Sequence, residues 1–145
     1  MTEFPGGPGD SPGFLLWRIT LRWQRAVAEA LRPLELTHVQ FVLLATTWWL
    51  NRQERSPNQL AIAAQADTDV KMTSEILRKL ADRGLLVQRT DPNDGRAKLI
   101  VVTAEGSALA ERAIVVVERV DAEFFTGAPA SLIPGLKHLA RFDPS

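Results

Sequence analysis

The apolar positions of the chain follow two rhythms, and the change from one to the other outlines its elements. Leu16, Ile19, Trp23, Ala26, Val27 and Ala30 recur at three- and four-residue spacing, which predicts a helix. Ser11 is placed as its cap and Pro12 as its first residue, and Pro33 should stop it at Arg32. Leu36 to Phe41 then carries a full start signal. Thr37 and Gln40 form a capping box, and Leu36 and Phe41 occupy the two positions of a hydrophobic staple. The helix that follows, through Leu50, is apolar on most sides and is therefore expected at the centre. Ser56-Pro57-Asn58-Gln59 repeats the box, with Ser56 as cap and Pro57 first in a short helix to about Gln65. Ala61 and Ala64 leave room there for a close neighbour.

Thr68 or Asp69 caps the next predicted helix. Its inner stripe is Thr73, Ile76, Leu77 and Leu80, and its outer stripe is Lys71, Ser74, Glu75 and Arg78. Gly84 ends it as a left-handed cap. From there β-branched and apolar residues dominate: Leu85 to Thr90 and Ala97 to Val102 read as strands, with the turn residues in Asp91 to Arg96 between them. Thr103 caps a long helix with Leu109, Ala113, Val116, Val117, Val120 and Phe124 on one face. A last helix can begin after Ser131, since Pro134 still falls in its first turn.

This order predicts a mainly α fold: a winged helix-turn-helix with a small antiparallel β-wing and flanking N- and C-terminal helices. Such a layout places one helix in the DNA major groove and one loop on its flank. The whole chain, 1–145, reads as one domain. Residues 1–10 form a flexible Gly- and Pro-rich arm, 12–32 and 104–142 are dimerisation helices, and 37–103 is the DNA-binding lobe. The dimer follows from area: the stripes on Leu16 to Ala30 and Leu109 to Phe124 exceed what one small lobe would cover.

Composition narrows the function. The 145 residues include no cysteine, so disulfides, thiolate zinc sites and thiol redox sensing are excluded. No signal peptide is visible and the longest apolar runs are too short to span a bilayer, so the expected location is cytoplasmic with no membrane partner. The formal net charge is zero, which speaks against a nucleic-acid partner, but the charge is unevenly placed. Residues 52–98 hold nine Lys/Arg and seven Asp/Glu, and the remainder is slightly acidic. Specific DNA binding needs basic groups on one face rather than a basic average. No nucleophile, base and orienter set appears, nor a glycine-rich phosphate loop, so no enzyme, catalytic residue or cofactor is expected. His38 and His138, the only histidines, lack a convergent acidic cluster, so no metal site is expected, and His38 is expected at the surface.

The carrying features are Leu60-Ala61, Ala64, the helix Val70 to Arg83, Gly84-Leu85, Arg89, and the run Asp94 to Gly106, which fits D-x-R-x-x-x-(apolar)-x-(apolar)-T-x-x-G. With these in this order, the chain resembles the MarR family of bacterial transcriptional regulators over roughly residues 12 to 142. The resemblance implies a homodimer whose terminal helices interleave. It also implies a small aromatic or anionic effector bound between the dimer helices and the DNA lobe. The chain departs from the family at Glu75, where a neutral or basic residue is more usual, and in its short, proline-broken C-terminal segment.

On this reading Ser74 lies near base edges, and Lys71 and Arg78 contact phosphates or guanines. Glu75 has two assignments: accepting from a cytosine amino group, or pairing with Lys79 or Lys71 along the helix, the second being preferred. Arg96 at the wing tip enters the minor groove, Asp94 holds it or the turn, and Arg89 and Lys98 flank it at phosphates. The four tryptophans serve either the core and dimer interface or an aromatic effector pocket, for which Trp23, His38 and Trp48 are the candidates. Trp48 and Trp49 cannot face the same way on one helix. The expected function is sequence-specific DNA binding as a homodimer on an inverted repeat, with repression relieved by a small molecule. The alternative is a winged-helix module that binds protein without specific DNA binding, favoured by Glu75 and the zero net charge.

Overall fold

The computed structural model describes residue 3 and residues 5–142; of Arg96 and Ala97 it describes the backbone only. After a 3-10 turn over Gly7–Asp10, inside the expected arm, six α-helices and one hairpin follow among the described residues, with a second 3-10 turn over Arg32–Leu34. They are α1 (Pro12–Leu31), α2 (His38–Arg52), α3 (Gln59–Ala66), α4 (Val70–Asp82), β1 (Leu86–Asp91), β2 (Asp94–Val102), α5 (Ala104–Phe124) and α6 (Leu132–Ala140).

Helix starts fall where the capping chemistry directs them. Ser11 Oγ accepts from the Phe14 N–H, and Thr37 and Gln40 complete their reciprocal box. Asp69, rather than Thr68, caps α4 by accepting from the Met72 N–H at 2.9 Å. Thr68 instead shares a 2.7 Å hydrogen bond with the hydroxyl of Thr73, which is itself buried. One start differs from expectation. Asn58, not Ser56, caps α3, accepting from the Ala61 N–H at 2.9 Å. Pro57 is not the first helical residue, because its carbonyl is taken by the Ile100 N–H of β2 at 2.8 Å. That bond holds the chain extended for two residues longer, and asparagine is as good a cap as serine.

The core is a single cluster. Val27 and Leu31 of α1, Leu43, Leu44 and Leu50 of α2, Ile62 of α3 and Leu77 and Leu80 of α4 meet Leu85, Leu86 and Ile100 of the hairpin and Leu109, Ala113 and Val117 of α5. Each buried leucine contributes roughly 1.5–3 kcal/mol of transfer free energy. α2 touches α3, α4, α5 and β2, which is the central place its apolar composition demanded. Leu36 and Phe41 both lie on this core, as a staple requires. The α1 stripe is only half used: Val27 is buried, whereas Leu16 and Ile19 are exposed.

β1 and β2 pair antiparallel from Leu86↔Val102 to Thr90↔Lys98. The register shifts after Thr90, and Asp91 pairs with Asp94. The turn is therefore tighter than the six residues expected: β2 already includes Asp94 to Arg96, and β2 carries three more residues than β1 between the last two pairs, a bulge-like irregularity at the hairpin tip.

A candidate nucleic-acid interface

α4 presents its two faces as the spacing requires. Thr73, Leu77 and Leu80 are buried, and Lys71, Ser74, Glu75 and Arg78 are all exposed. The turn from α3 to α4 runs through Asp67 at φ 54°, with the Thr68 N–H bonded to Ala63 O at 2.9 Å. This left-handed close sets α4 across α3 without a glycine. At the other end Gly84 takes φ 77° and the Leu85 N–H reaches Leu80 O at 3.0 Å, closing the helix in a Schellman arrangement. The chain then enters β1 immediately, so the wing is tied to the end of the exposed helix.

Three contacts brace the wing. Thr103 Oγ1 accepts from the Gly106 N–H to cap α5 and donates to Gly84 O at 2.7 Å. The Thr103 N–H bonds Leu85 O at 3.0 Å. Gly106 is required because a Cβ there would collide with the backbone carbonyl of Leu85. These contacts give the T-x-x-G run its physical meaning: threonine joins two helix ends and glycine lets α5 approach the strand. The third brace was not anticipated. Asn51, in the last turn of α2, accepts from the Val102 N–H at 2.9 Å and donates to Ile100 O at 3.3 Å and Arg55 O at 3.0 Å. A lone asparagine near a helix end gives no sequence signal for a partner 50 residues away.

On the hairpin, Arg89 and Lys98 are exposed, and Lys98 Nζ lies 3.4 Å from Thr90 Oγ1. Asp94 is at the tip beside the bulge. The backbone of Arg96 belongs to β2, but its side chain, expected in the minor groove, lies outside the described residues. Among the described residues no salt bridge joins Glu75 to Lys71 or Lys79, so the expected pairing is not formed. The long flexible cations extend into solvent, where an exposed pair gains little.

The three candidate pocket residues do not meet. Trp23 and His38 do, edge to face with centroids 4.9 Å apart. The Trp23 Nε1–H donates to Asp121 Oδ1 at 2.8 Å, joining α1 to α5. His38 is half-buried rather than at the surface, and burial holds its imidazole below the ordinary value of 6.5, with Asp121 opposing the shift. Trp48 is ten residues further along α2, about 15 Å along the axis. It lines a separate cavity of about 360 Å³ with Thr46, Trp49, Gln65, Ile114 and Glu118. Its indole N–H is buried without a partner among the described residues, and the Arg52 guanidinium stands 5.0 Å from its ring. Trp49, on the same cavity, is the more exposed of the two. The larger apolar cavity, about 690 Å³, is lined by Trp23 with Leu16, Ile19, Asp121, Phe124 and Leu136. No group of three or more potential metal-ligating His, Cys, Asp or Glu occurs among the described residues, and no helix there is long and apolar enough to cross a membrane.

A short helix, a left-handed turn, an exposed polar helix and a braced hairpin define a winged helix-turn-helix protein. Residues 36–98 match the sequence model of the MarR family. The chain is 36% identical over 139 residues to the HTH-type transcriptional regulator YdcH of Bacillus subtilis (strain 168), spanning 94% of this chain and 95% of that protein. It is 34% identical over 114 residues to the HTH-type transcriptional repressor Rv2887 of Mycobacterium tuberculosis, with 78% and 79% of the two chains covered. The fold superposes with a TM-score of 0.80 on CouR from Rhodococcus jostii RHA1, crystallised with p-coumaroyl-CoA, at 29% identity over 93% of this chain and 92% of that one. The chain belongs to the MarR family: it is a DNA-binding transcriptional regulator and not an enzyme.

Proposed function

We propose that the protein is a cytoplasmic homodimeric repressor that binds an inverted-repeat operator and is released by a small molecule. The observation that carries the reading is the exposed stripe Lys71, Ser74, Glu75 and Arg78, next in the chain to a hydrogen-bonded wing that carries Arg89, Arg96 and Lys98. Ser74 meets base edges, Lys71 and Arg78 meet phosphates or guanines, Glu75 accepts from a cytosine amino group, and Arg96 enters the minor groove with Asp94 supporting the turn. With no lysine partner on its own helix, Glu75 is open to that role. The repressor named among the relatives supports the sign of regulation.

The dimer reading rests on Phe14, Leu15, Leu16, Trp17 and Ile19 of α1 and Ile133, Leu136 and Leu139 of α6, all exposed in one copy. So many large apolar side chains at one end of a small protein mark a contact surface. The effector reading rests on the apolar cavity at Trp23, and CouR with its aromatic thioester ligand supports it. Asp121 at that cavity favours an aromatic body there over an anionic group. Trp48 belongs to a different cavity and is not part of this site.

Selection of bound duplexes from a random pool tests the proposal. An inverted repeat with half-sites about 34 Å apart, bound by a species that sediments as a dimer at micromolar concentration, is expected. A monomer bound without sequence preference would refute it. Titration with aromatic acids should change tryptophan fluorescence and weaken DNA binding together, and bound operator must weaken the effector by the same factor.

A further inference from the structure

Val70 is the first residue of α4, and its side chain is 44% exposed although it is a large β-branched hydrocarbon. It borders the core stripe of α4 but is not part of the buried core cluster. The cap is Asp69, the core face begins at Thr73, and a first helical turn otherwise favours polar or acidic residues. At 100° per residue, Val70, Ser74 and Arg78 form one ridge at four-residue spacing, with Lys71 and Glu75 on the adjoining row. Helical side chains also lean toward the N-terminus, so Val70 projects beyond the start of α4. An exposed hydrocarbon thus sits at the leading end of a ridge whose other members are a hydroxyl and a guanidinium.

We propose that Val70 is a specificity-determining residue that reads the C5-methyl group of a thymine in each half-site. The inference rests on the reading that α4 enters the major groove. In a helix-turn-helix the N-terminal residues of the second helix are the ones that face base edges. The major groove offers hydrogen-bond donors and acceptors at every base pair, and its apolar feature is the thymine methyl. Valine has no donor or acceptor, so the methyl is the base-edge group it can recognise. Its two methyl groups are held by a stiff χ1 and give a defined contact. Lys71 stands beside it, and Arg78 lies two turns further along the same ridge, with charge that holds the DNA backbone in place. Met72, also exposed, projects from the opposite flank of α4, more than 90° around the axis from the Ser74 ridge, and is left out of the contact.

The test replaces each thymine of the selected duplex, one at a time, with deoxyuridine, which pairs identically and lacks only the methyl. For the natural protein, one position per half-site should weaken binding by about fourfold, the value of one buried methyl, and the other positions should change it little. In Val70→Ser, which is exposed and accepts a polar residue without loss of core, thymine and uracil at that position should bind equally. Val70→Thr keeps one methyl in the same stiff geometry and should keep part of the difference. If no thymine shows the methyl effect, or if the effect survives in Val70→Ser, the inference is wrong while DNA binding stands. If the natural protein shows no preference for the selected duplex over random DNA, the major-groove reading and this inference fall together.

Discussion

The lobe built from α2, α3, α4 and the hairpin differs from the two ends of the chain in the kind of surface it leaves open. In the lobe the large apolar side chains are mostly gathered into the core, and what α4 exposes is mainly polar and charged. At the N-terminal half of α1 and along α6 the reverse holds: Trp17 is 63% exposed, Ile133 63% and Leu139 77%. The lobe's apolar side chains are closed into the core it shares with α1 and α5, and its polar face is left to meet a polyanion. The terminal helices leave theirs open, and in the proposed dimer these apolar faces meet a second copy. One chain thereby carries two unsatisfied surfaces of opposite chemistry, and each can be disabled without the other.

The largest separation should come from charging the apolar end. Leu16→Glu with Trp17→Glu should leave the lobe folded but shift sedimentation to monomer. Affinity for a two-half-site duplex should then fall by about 10²-fold or more, because the second contact is no longer tethered to the first. A double variant that stayed dimeric would remove α1 from the interface. Gly106→Ala acts on the other region. Its methyl meets Leu85 backbone that cannot yield easily, so urea unfolding should show a loss of about 3 kcal/mol, whatever the dimer does. An unchanged unfolding midpoint would mean that α5 and the wing are less closely joined than described. Asn51→Ala should cost about 1–2 kcal/mol, since it leaves strand amide and carbonyl groups without a partner. It should also reduce DNA affinity, because the wing is then held less firmly against α2. A stability loss with no change in DNA affinity would show that bracing of the wing is irrelevant to binding.

The smallest effect belongs to the joint between the two regions. Because burial lowers the pKa of His38, the unfolded chain binds more protons than the folded one between the lowered value and about 6.5. The neutral imidazole therefore favours the fold fully above pH 6.5, and that contribution is lost as pH falls through the folded value. His38→Gln should flatten the unfolding midpoint between pH 8 and pH 5 relative to the natural protein. An identical pH dependence in the two proteins would assign the slope to other groups.

Much of this architecture was legible because helix starts and stops are local chemistry. Ser11, Thr37, Thr103 and Gly84 act through atoms within a few residues, and all fall where the spacing put them. The cap of α3 is not local in this way, because a bond from Ile100, more than forty residues away, decides where Pro57 lies and moves the cap from Ser56 to Asn58. The stripe on α4 was readable because its period is that of a helix. The aromatic trio was not, since residues on two helices meet or miss according to tertiary packing: Trp23 finds Asp121 ninety-eight positions later, and Trp48 faces another cavity. Asn51 and the depth of His38 were hidden for the same reason.

The central claim is that α4 and the wing bind DNA through different kinds of contact. The most direct test is equilibrium binding of the selected duplex and of random DNA across a salt series, for the natural protein, Arg96→Ala and Ser74→Ala. Arg96→Ala should weaken both DNAs together and lower the salt slope by about one unit per subunit. Ser74→Ala should leave the slope unchanged and narrow the gap between selected and random DNA by roughly 1 kcal/mol per half-site. Binding and salt slopes that stayed the same in both variants would contradict the account and leave the exposed face of α4 without a nucleic-acid role.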